Sequence, residues 1–198
     1  MAKQPATTPR RQRSDAGRSV EAILNAAPDV LASDPDASMA EIARQAGVVR
    51  ATIYVHFPTR ESLLDAVMER AVADVAQAMS EAEPQRGDPN EALERVLRAT
   101  WRELGRFHSL LAINTNRLSV EELRRRHLPM TTLLGPLIER GQKQGVFRSD
   151  LPVSWHVAVI RAIVHTASAE LRSGRISEAD VEPTMLTTVR AAIGGPTS

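Results

Sequence analysis

The sequence predicts an all-α protein of about nine helices, and three observations lead to that fold class. Apolar residues recur along most of the chain with the period of an amphipathic helix. No segment shows the alternation of a half-buried strand, and no internal repeat is present. Cap and stop residues, such as the Ser38–Glu41 pair and Gly47, divide the periodic segments at helix length. We therefore expect a small helical head followed by a larger helical bundle.

Composition restricts the class of protein. The 198 residues are 42% hydrophobic, which is enough to bury a sizeable core. No stretch approaches the roughly 18 apolar residues of a membrane span, and the N-terminus lacks the apolar run of a signal peptide. We therefore expect no membrane partner and a cytoplasmic location. The chain has no cysteine, which excludes disulfides and thiolate chemistry.

Sequence signals for catalysis, metals and cofactors are absent. The five histidines show neither H-x3-H nor H-E-x-x-H spacing, so we expect no zinc site. Glycine-rich phosphate loops and G-x-S-x-G elbows are also absent. The sequence therefore gives no reason to expect an enzyme, a cofactor or a bound metal.

Charge is uneven along the chain, although the formal net charge is only +1. Residues 1–18 carry five basic side chains against one acidic side chain, whereas residues 61–198 carry 17 basic and 18 acidic ones. We read residues 1–13 as a disordered basic arm, which either follows a nucleic-acid backbone or is a solubilising tail. The positive field lies at the end of the chain that holds the strongest motif.

That motif lies in residues 38–60 and has the pattern of a helix-turn-helix. Ser38 and Glu41 form a capping box that begins a helix, and Gly47 suits the turn that ends it. In the next helix, Ile53 and Phe57 lie one turn apart and are expected to point inward. Phe57-Pro58 should end this helix, and Thr59 should cap a long fourth one.

The outward face of the second motif helix carries hydrogen-bond donors around a small residue. Arg50, Thr52, Tyr54 and His56 can each donate to a phosphate, and Arg50 can also reach a guanine edge. Ala51 would let the helix approach the major groove closely. Tyr54 is the single tyrosine of the chain and is predicted on the exposed side, where a structural aromatic would not be placed.

The segment G-V-V-R-A-T-I-Y-V-H-F-P-T-R-E-S-L resembles the DNA-binding signature of the TetR family of transcriptional regulators. The family pattern is usually G-V-S-[KR]-[GA]-[TS]-[LI]-Y-x-H-F-x-[ST]-[KR]-E-x-L. The resemblance covers residues 14–70, and beyond them it concerns only helical layout and length. Val49 departs from the pattern and leaves its helix without the usual Ser or Thr N-cap. Pro28 also departs, and we expect it to kink the first helix near Leu24.

The resemblance implies a DNA-binding domain at residues 14–58 and an effector-binding and dimerisation domain at residues 59–198. It implies a homodimer on a palindromic operator in double-stranded DNA, released when a small-molecule effector displaces helix four. Two other readings stay open: a regulator without an effector or an activator, and a helical binding module or enzyme without DNA affinity. The residues that we expect to contact DNA are Ser38, Val49, Arg50, Ala51, Thr52, Tyr54, Val55, His56, Thr59 and Arg60.

The larger domain is predicted from caps and periodicity alone. Asp88-Pro89-x-Glu91 should begin a helix, a second is expected from Arg106 to about Asn116, and Ser119 should open a short one that ends before Pro129. Three further helices are predicted, at 130–144, at 152–173 with Asp150 as its cap, and from Ser177 onward. Candidates for lining an effector cavity are Trp101, His108, Asn114, Arg117, Met130, Trp155, Arg161 and His165. Arg161 stands out, since a buried arginine needs an anionic partner, although it is equally suited to an exposed subunit boundary.

Overall fold

The computed structural model describes residues 9–105, 107 and 120–195. These residues form eight helices and no strand, which confirms the all-α fold class. The helices are α1 (Pro9–Ser33), α2 (Met39–Gln45), α3 (Arg50–His56), α4 (Arg60–Glu81), α5 (Pro89–Gly105), α6 (Val120–Lys143), α7 (Val153–Arg172) and α8 (Glu178–Ile193). Two compact units divide the chain between Arg70 and Ala71, inside α4.

The first unit is built on a small apolar core shared by α1, α2 and α3, which pack against one another. Apolar side chains at helical spacing turn to this core, and each of these helices contributes at least one fully buried aliphatic group. The most deeply buried members are Ile23, Ala27, Leu31, Ile42 and Ile53. This core holds the two short helices, neither of which would be stable alone at seven residues.

Helix α1 begins earlier than the sequence analysis placed it. It starts at Pro9 rather than after Ser14. The basic arm at residues 1–13 stays a prediction. Proline is favoured in the first turn of a helix, and the arginine and glutamine residues that follow are good helix formers. Pro28 lies inside α1 without ending it. The kink expected near Leu24 stays a prediction.

The second unit has a larger core to which the end of α4 and all of α5 to α8 contribute. Apolar residues on α7 and α8 pack together, and Phe147, in the loop before α7, is also buried. The fully buried side chains of this core include Met79, Leu137, Ile138, Phe147, Ile160 and Met185. Among the described helices, none combines the length and apolar composition needed to cross a bilayer.

Helix α6 corrects the predicted break before Pro129. It runs without interruption from Val120 through Pro129 and Pro136 to Lys143. Pro129 is exposed, so the carbonyl that loses its N–H partner can be hydrated, and Thr131 Oγ1 donates to the His127 carbonyl nearby at 3.0 Å. Packing of the second half of the helix into the core therefore outweighs the local penalty of proline. The helix expected at 106–116 lies outside the described residues, apart from Phe107.

The predicted caps of the bundle helices are partly correct. Asp88 Oδ1 accepts hydrogen bonds from the N–H groups of Asn90 and Glu91, at 2.9 and 3.2 Å, so Asp88 is the cap of α5. Ser177 Oγ likewise accepts from the Asp180 N–H at the start of α8. The prediction for Asp150 is wrong. Its carboxylate binds the Arg148 guanidinium, and Pro152 occupies the N-cap position of α7 without a side-chain hydrogen bond.

Two arginines secure the loop between α4 and α5 by binding its carbonyl groups. Arg140 donates to the carbonyls of Pro84 and Gln85 at 2.9 and 2.6 Å, and to that of Gly87 at 3.1 Å. Arg95 donates to the carbonyls of Ala82, Glu83 and Arg86. These bonds give partners to carbonyls of the loop that follows the last residue of α4.

Candidate DNA-binding surface

The turn between α2 and α3 is set by local hydrogen bonds. Ser38 Oγ accepts the Glu41 N–H at 3.2 Å, as the capping box predicted, but the Glu41 carboxylate binds Arg44 at 2.5 Å. The hydrogen bond from Arg44 also lowers the pKa of Glu41. Gly47 has φ +68°, a left-handed conformation that a side chain would strain. The Val48 N–H then closes the turn on the Ala43 carbonyl at 3.0 Å.

Helix α3 is anchored by the two side chains that the sequence predicted to point inward. Ile53 is completely buried and Phe57 is 7% exposed. The Phe57 N–H donates to the Ile53 carbonyl at 2.8 Å and ends the helix there. Because these anchors lie one turn apart on one side, they determine which side chains α3 presents to solvent.

The opposite side of α3 is exposed and unusually apolar. Val55 is 75% exposed, Val49 is 70% exposed and Ala51 is also at the surface. Large exposed apolar groups are rare elsewhere in the described chain, where only Leu128 and Trp155 join the three on or beside α3. We call Ala51 and Val55, which lie one turn apart opposite the anchors, the apolar face of α3. Apolar side chains exposed on one side of a helix are typical of a binding surface.

Arg50 and Tyr54 form a second feature of α3, beside the apolar face. The guanidinium carbon of Arg50 lies 5.8 Å from the centre of the Tyr54 ring, one helical turn away. This cation–π contact is worth about 0.5–1 kcal/mol at an exposed site, so each side chain restricts the other. Tyr54 is 40% exposed, as predicted.

The other flank of α3 carries Thr52 and His56, which are both half-buried. The His56 ring lies 6.4 Å from that of Phe57, so it rests beside an anchor of the helix. Val49 is the N-cap of α3 and provides no side-chain hydrogen bond, as the departure from the motif predicted. The first turn of α3 therefore lacks the support that Ser or Thr would give it.

The start of α4 differs in part from the expected phosphate site. Thr59 Oγ1 accepts the Ser62 N–H at 3.1 Å and Ser62 Oγ accepts the Thr59 N–H at 3.2 Å, so these donors are already used. The Arg60 guanidinium donates to the carbonyls of Ala37 and Pro35, the latter at 2.5 Å. Arg60 thus secures the loop before α2, a structural role that the sequence analysis did not find.

The residues that were predicted to line an effector cavity differ in burial. Trp101 is buried in the core of the second unit, and Met130 and His165 are half-buried. Trp155 is 56% exposed and Arg161 is exposed, so neither lies inside the unit. The remaining candidates, His108, Asn114 and Arg117, lie outside the described residues. His127, which no spacing had singled out, lies against His165 with 3.2 Å between their Nε2 atoms.

Comparison with known proteins agrees with this geometry. The profile of the bacterial regulatory proteins of the tetR family matches residues 23–67, which include α2 and α3. The HTH-type transcriptional repressor LfrR of Mycolicibacterium smegmatis is 40% identical over 92 residues, which are 46% of this chain and about half of LfrR, at 48%. The regulator NfxB of Pseudomonas aeruginosa is 25% identical over 167 residues, covering 83% of this chain and 89% of NfxB.

Among solved structures, that of LfrR from Mycobacterium smegmatis in complex with proflavine has the same fold. It aligns with a TM-score of 0.70 at 24% identity and covers 87% of this chain and 94% of LfrR. The family profile falls on the residues whose anchors and exposed face are described above, and the fold similarity extends over both units. Residues 23–67 of the chain therefore form a domain of the tetR family of bacterial regulatory proteins.

Proposed function

We propose that the chain is a sequence-specific DNA-binding regulator that represses transcription as a homodimer on a palindromic operator and is released by a small-molecule effector. The observation that carries this proposal is the exposed face of α3. Val49, Tyr54 and Val55 are large side chains exposed on this seven-residue helix and its cap, outside the core of the first unit. They are suited to the major groove, which admits a single helix.

The two exposed features of α3 suit different parts of the DNA. Ala51 and Val55 have no polar group, so their best partners in the groove are thymine methyl groups. Tyr54 presents a hydroxyl at the edge of the helix, which suits a phosphate oxygen. Arg50 is held over the Tyr54 ring and can bind a phosphate or a guanine from there. We therefore assign base readout to the apolar face and positioning to Tyr54.

A dimer is required for useful affinity because one short helix makes few contacts. Two-fold symmetry would place two copies of α3 in successive major grooves, about 34–36 Å apart. The surface for dimerisation is expected on α7 and α8, whose apolar residues are numerous and which carry the exposed Trp155. The operator should then be a palindrome with half-sites about one helical turn apart.

Effector control is the finer part of the proposal. The LfrR structure that has this fold is a complex with proflavine, which supports control of this chain by a small molecule. A ligand that binds the DNA-free conformation more tightly lowers the affinity of the protein for the operator. By linkage, bound operator lowers the affinity of the protein for the ligand by the same factor. The effector can shift the equilibrium only by the difference between its two affinities.

The deciding experiment is selection of random-sequence DNA by the purified protein over several rounds, at two salt concentrations. We expect a palindrome that contains thymine in each half-site, and an affinity that falls steeply with salt because phosphate contacts release counterions. Absence of any enriched sequence, together with no binding at low salt, would overturn the proposal.

The assignment of roles within α3 needs matched variants on the selected operator. Tyr54→Phe removes one hydroxyl and should weaken binding to every sequence by roughly the same factor, about five- to tenfold. Val55→Ser removes apolar surface and should instead reduce the preference for thymine, with a smaller effect on non-specific DNA. The reverse pattern would show that the roles are exchanged.

A further inference from the structure

The second unit contains a polar contact that the DNA-binding role leaves unexplained. His127 on α6 and His165 on α7 face each other with their Nε2 atoms 3.2 Å apart, and the contact is partly buried. The ring centres are 5.4 Å apart and the rings are inclined at 64°. The distance between the ring centres exceeds the distance between the two Nε2 atoms by nearly twice the distance from a ring centre to its own Nε2 atom. The two nitrogens therefore point almost directly at each other.

This geometry allows one proton between the rings. In the neutral pair, one Nε2–H donates to the lone pair of the other nitrogen. When a second proton binds between the rings, at the Nε2 atom that had been the acceptor, both Nε2 atoms are donors and the hydrogen bond between them is lost. The contact is therefore a hydrogen bond that only a neutral or singly protonated pair can make.

The surroundings of the pair are cationic. Burial, then the neighbouring charges of His127, Arg161 and Arg172, lower the pKa of His165 to about 4. Arg161 lies one turn before His165 on the same side of α7, since the two positions are four residues apart. Within the described residues the Arg161 side chain makes no hydrogen bond or ion pair. A free guanidinium thus lies beside two imidazoles that share one proton.

We propose that His127, His165 and Arg161 together bind the anionic group, a carboxylate or a phosphate, of a small organic molecule. Arg161 provides donors that match the oxygens of either group. Met130 lies one turn from His127 on α6 and is half-buried against the core, so an apolar body would have a suitable neighbour. If the proposed function is correct, this molecule is the effector, and the inference then rests on that function.

Binding should take up one proton from solvent. The incoming anion brings one negative charge, and a proton from solvent protonates the second imidazole nitrogen. The two Nε2–H groups, which oppose each other in the free site, then turn toward the anion and both donate to it. The His–His hydrogen bond is exchanged for two charge-assisted ones, and the complex has the same net charge as the free site. Affinity should therefore fall as pH rises, by up to tenfold per pH unit, because the proton becomes less available.

The test uses the full chain and the head groups alone, so that it does not depend on the unknown organic body. Acetate and inorganic phosphate are titrated at constant ionic strength with sodium chloride, and the ring signals of the five histidines are followed by NMR. We expect saturable shifts at His127 and His165, and a rise of about one pH unit in the titration midpoint of the pair. The difference between the two anions identifies the preferred group.

Arg161→Gln is the informative variant, because this exposed side chain can be changed without disturbing the core. It should weaken anion binding by about tenfold, the value of one charge-assisted contact. The matched control is Arg102→Gln, which changes an exposed arginine on α5 whose Nε donates to the Arg98 carbonyl. That control should bind acetate and phosphate as the unaltered protein does.

The outcomes are distinct. Absence of saturable shifts, or equal shifts in the Arg161→Gln protein, would overturn the proposal. If zinc chloride shifts both rings at stoichiometric concentration while the anions do not, the pair is a metal site and the anion proposal is wrong. The NMR titration uses no DNA, so failure of the operator selection would not alter its result, and the two proposals fail separately.

Discussion

The two units differ in how their functional surfaces are specified. In the first, the turn between α2 and α3 and the exposed side of α3 follow mainly from contacts within about twenty residues: the Ser38 cap of α2, a left-handed glycine and two anchors of α3 one turn apart. In the second, the informative contacts join distant segments, such as Arg140 with the loop at residues 84–87 and His127 with His165. The comparison teaches that a surface built from local contacts can be found by a motif, whereas one built between helices cannot.

The largest expected effect comes from removing a buried isoleucine in each unit. Ile53 and Ile138 are both completely buried, so replacing either by alanine should cost about 2–5 kcal/mol of unfolding free energy. Hydrogen exchange should show loss of amide protection on α3 in Ile53→Ala and on α6 in Ile138→Ala. If either substitution removed amide protection in both units, the two units would not be specified separately, and the comparison would fail.

The second effect is a pH dependence located in the second unit. The pKa of His165 is about 4 in the folded chain and near 6.5 when unfolded. The unfolded chain thus binds a proton that the folded chain refuses, and stability falls as pH drops from 6.5 to 4, by up to about 3 kcal/mol. Denaturant unfolding at several pH values measures this fall, and His165→Gln should remove most of it. If the unfolding free energies of the unaltered protein and of His165→Gln depended on pH in the same way, His165 would not be the cause of the fall.

A smaller effect distinguishes two glycines of α6. A Cβ at Gly141 would lie 2.0 Å from Cδ2 of Phe147, so Gly141→Ala should destabilise the second unit by about 1–3 kcal/mol through overpacking. Gly135 has open space at the same position, and Gly135→Ala should stabilise the helix by about 0.5–1 kcal/mol. Thermal unfolding of both variants tests the pair. A stabilising Gly141→Ala would show that the Phe147 ring moves freely.

The smallest effect sharpens the account of the first unit. Val49→Ser should supply the missing N-cap of α3 and stabilise the head by about 1 kcal/mol. Val55→Ser makes the same chemical change on the same helix, away from the cap, and should give no such gain. Thermal unfolding that shows the same shift for both variants would mean that the N-cap is not the cause.

The sequence was a good guide wherever the deciding interactions are short in range. The anchors Ile53 and Phe57, the exposed Tyr54 and the caps Ser38 and Asp88 were all predicted correctly. The break before Pro129 was predicted wrongly because packing of α6 outweighs the loss of one helical hydrogen bond. The role of Arg60 and the partner of His165 were missed because guanidinium–carbonyl and imidazole contacts between separate segments follow no spacing rule.

The guanidinium–carbonyl bonds of Arg60, Arg95 and Arg140 have a practical consequence for solution work. Each joins a charge to a backbone dipole at contact distance, and interactions shorter than the screening length of about 10 Å at 0.1 M salt are little weakened by added ions. The loops that they secure should therefore keep their conformation when buffer salt is raised. The slope of operator affinity against salt concentration can then be read as the number of phosphates contacted, rather than as loosening of the protein.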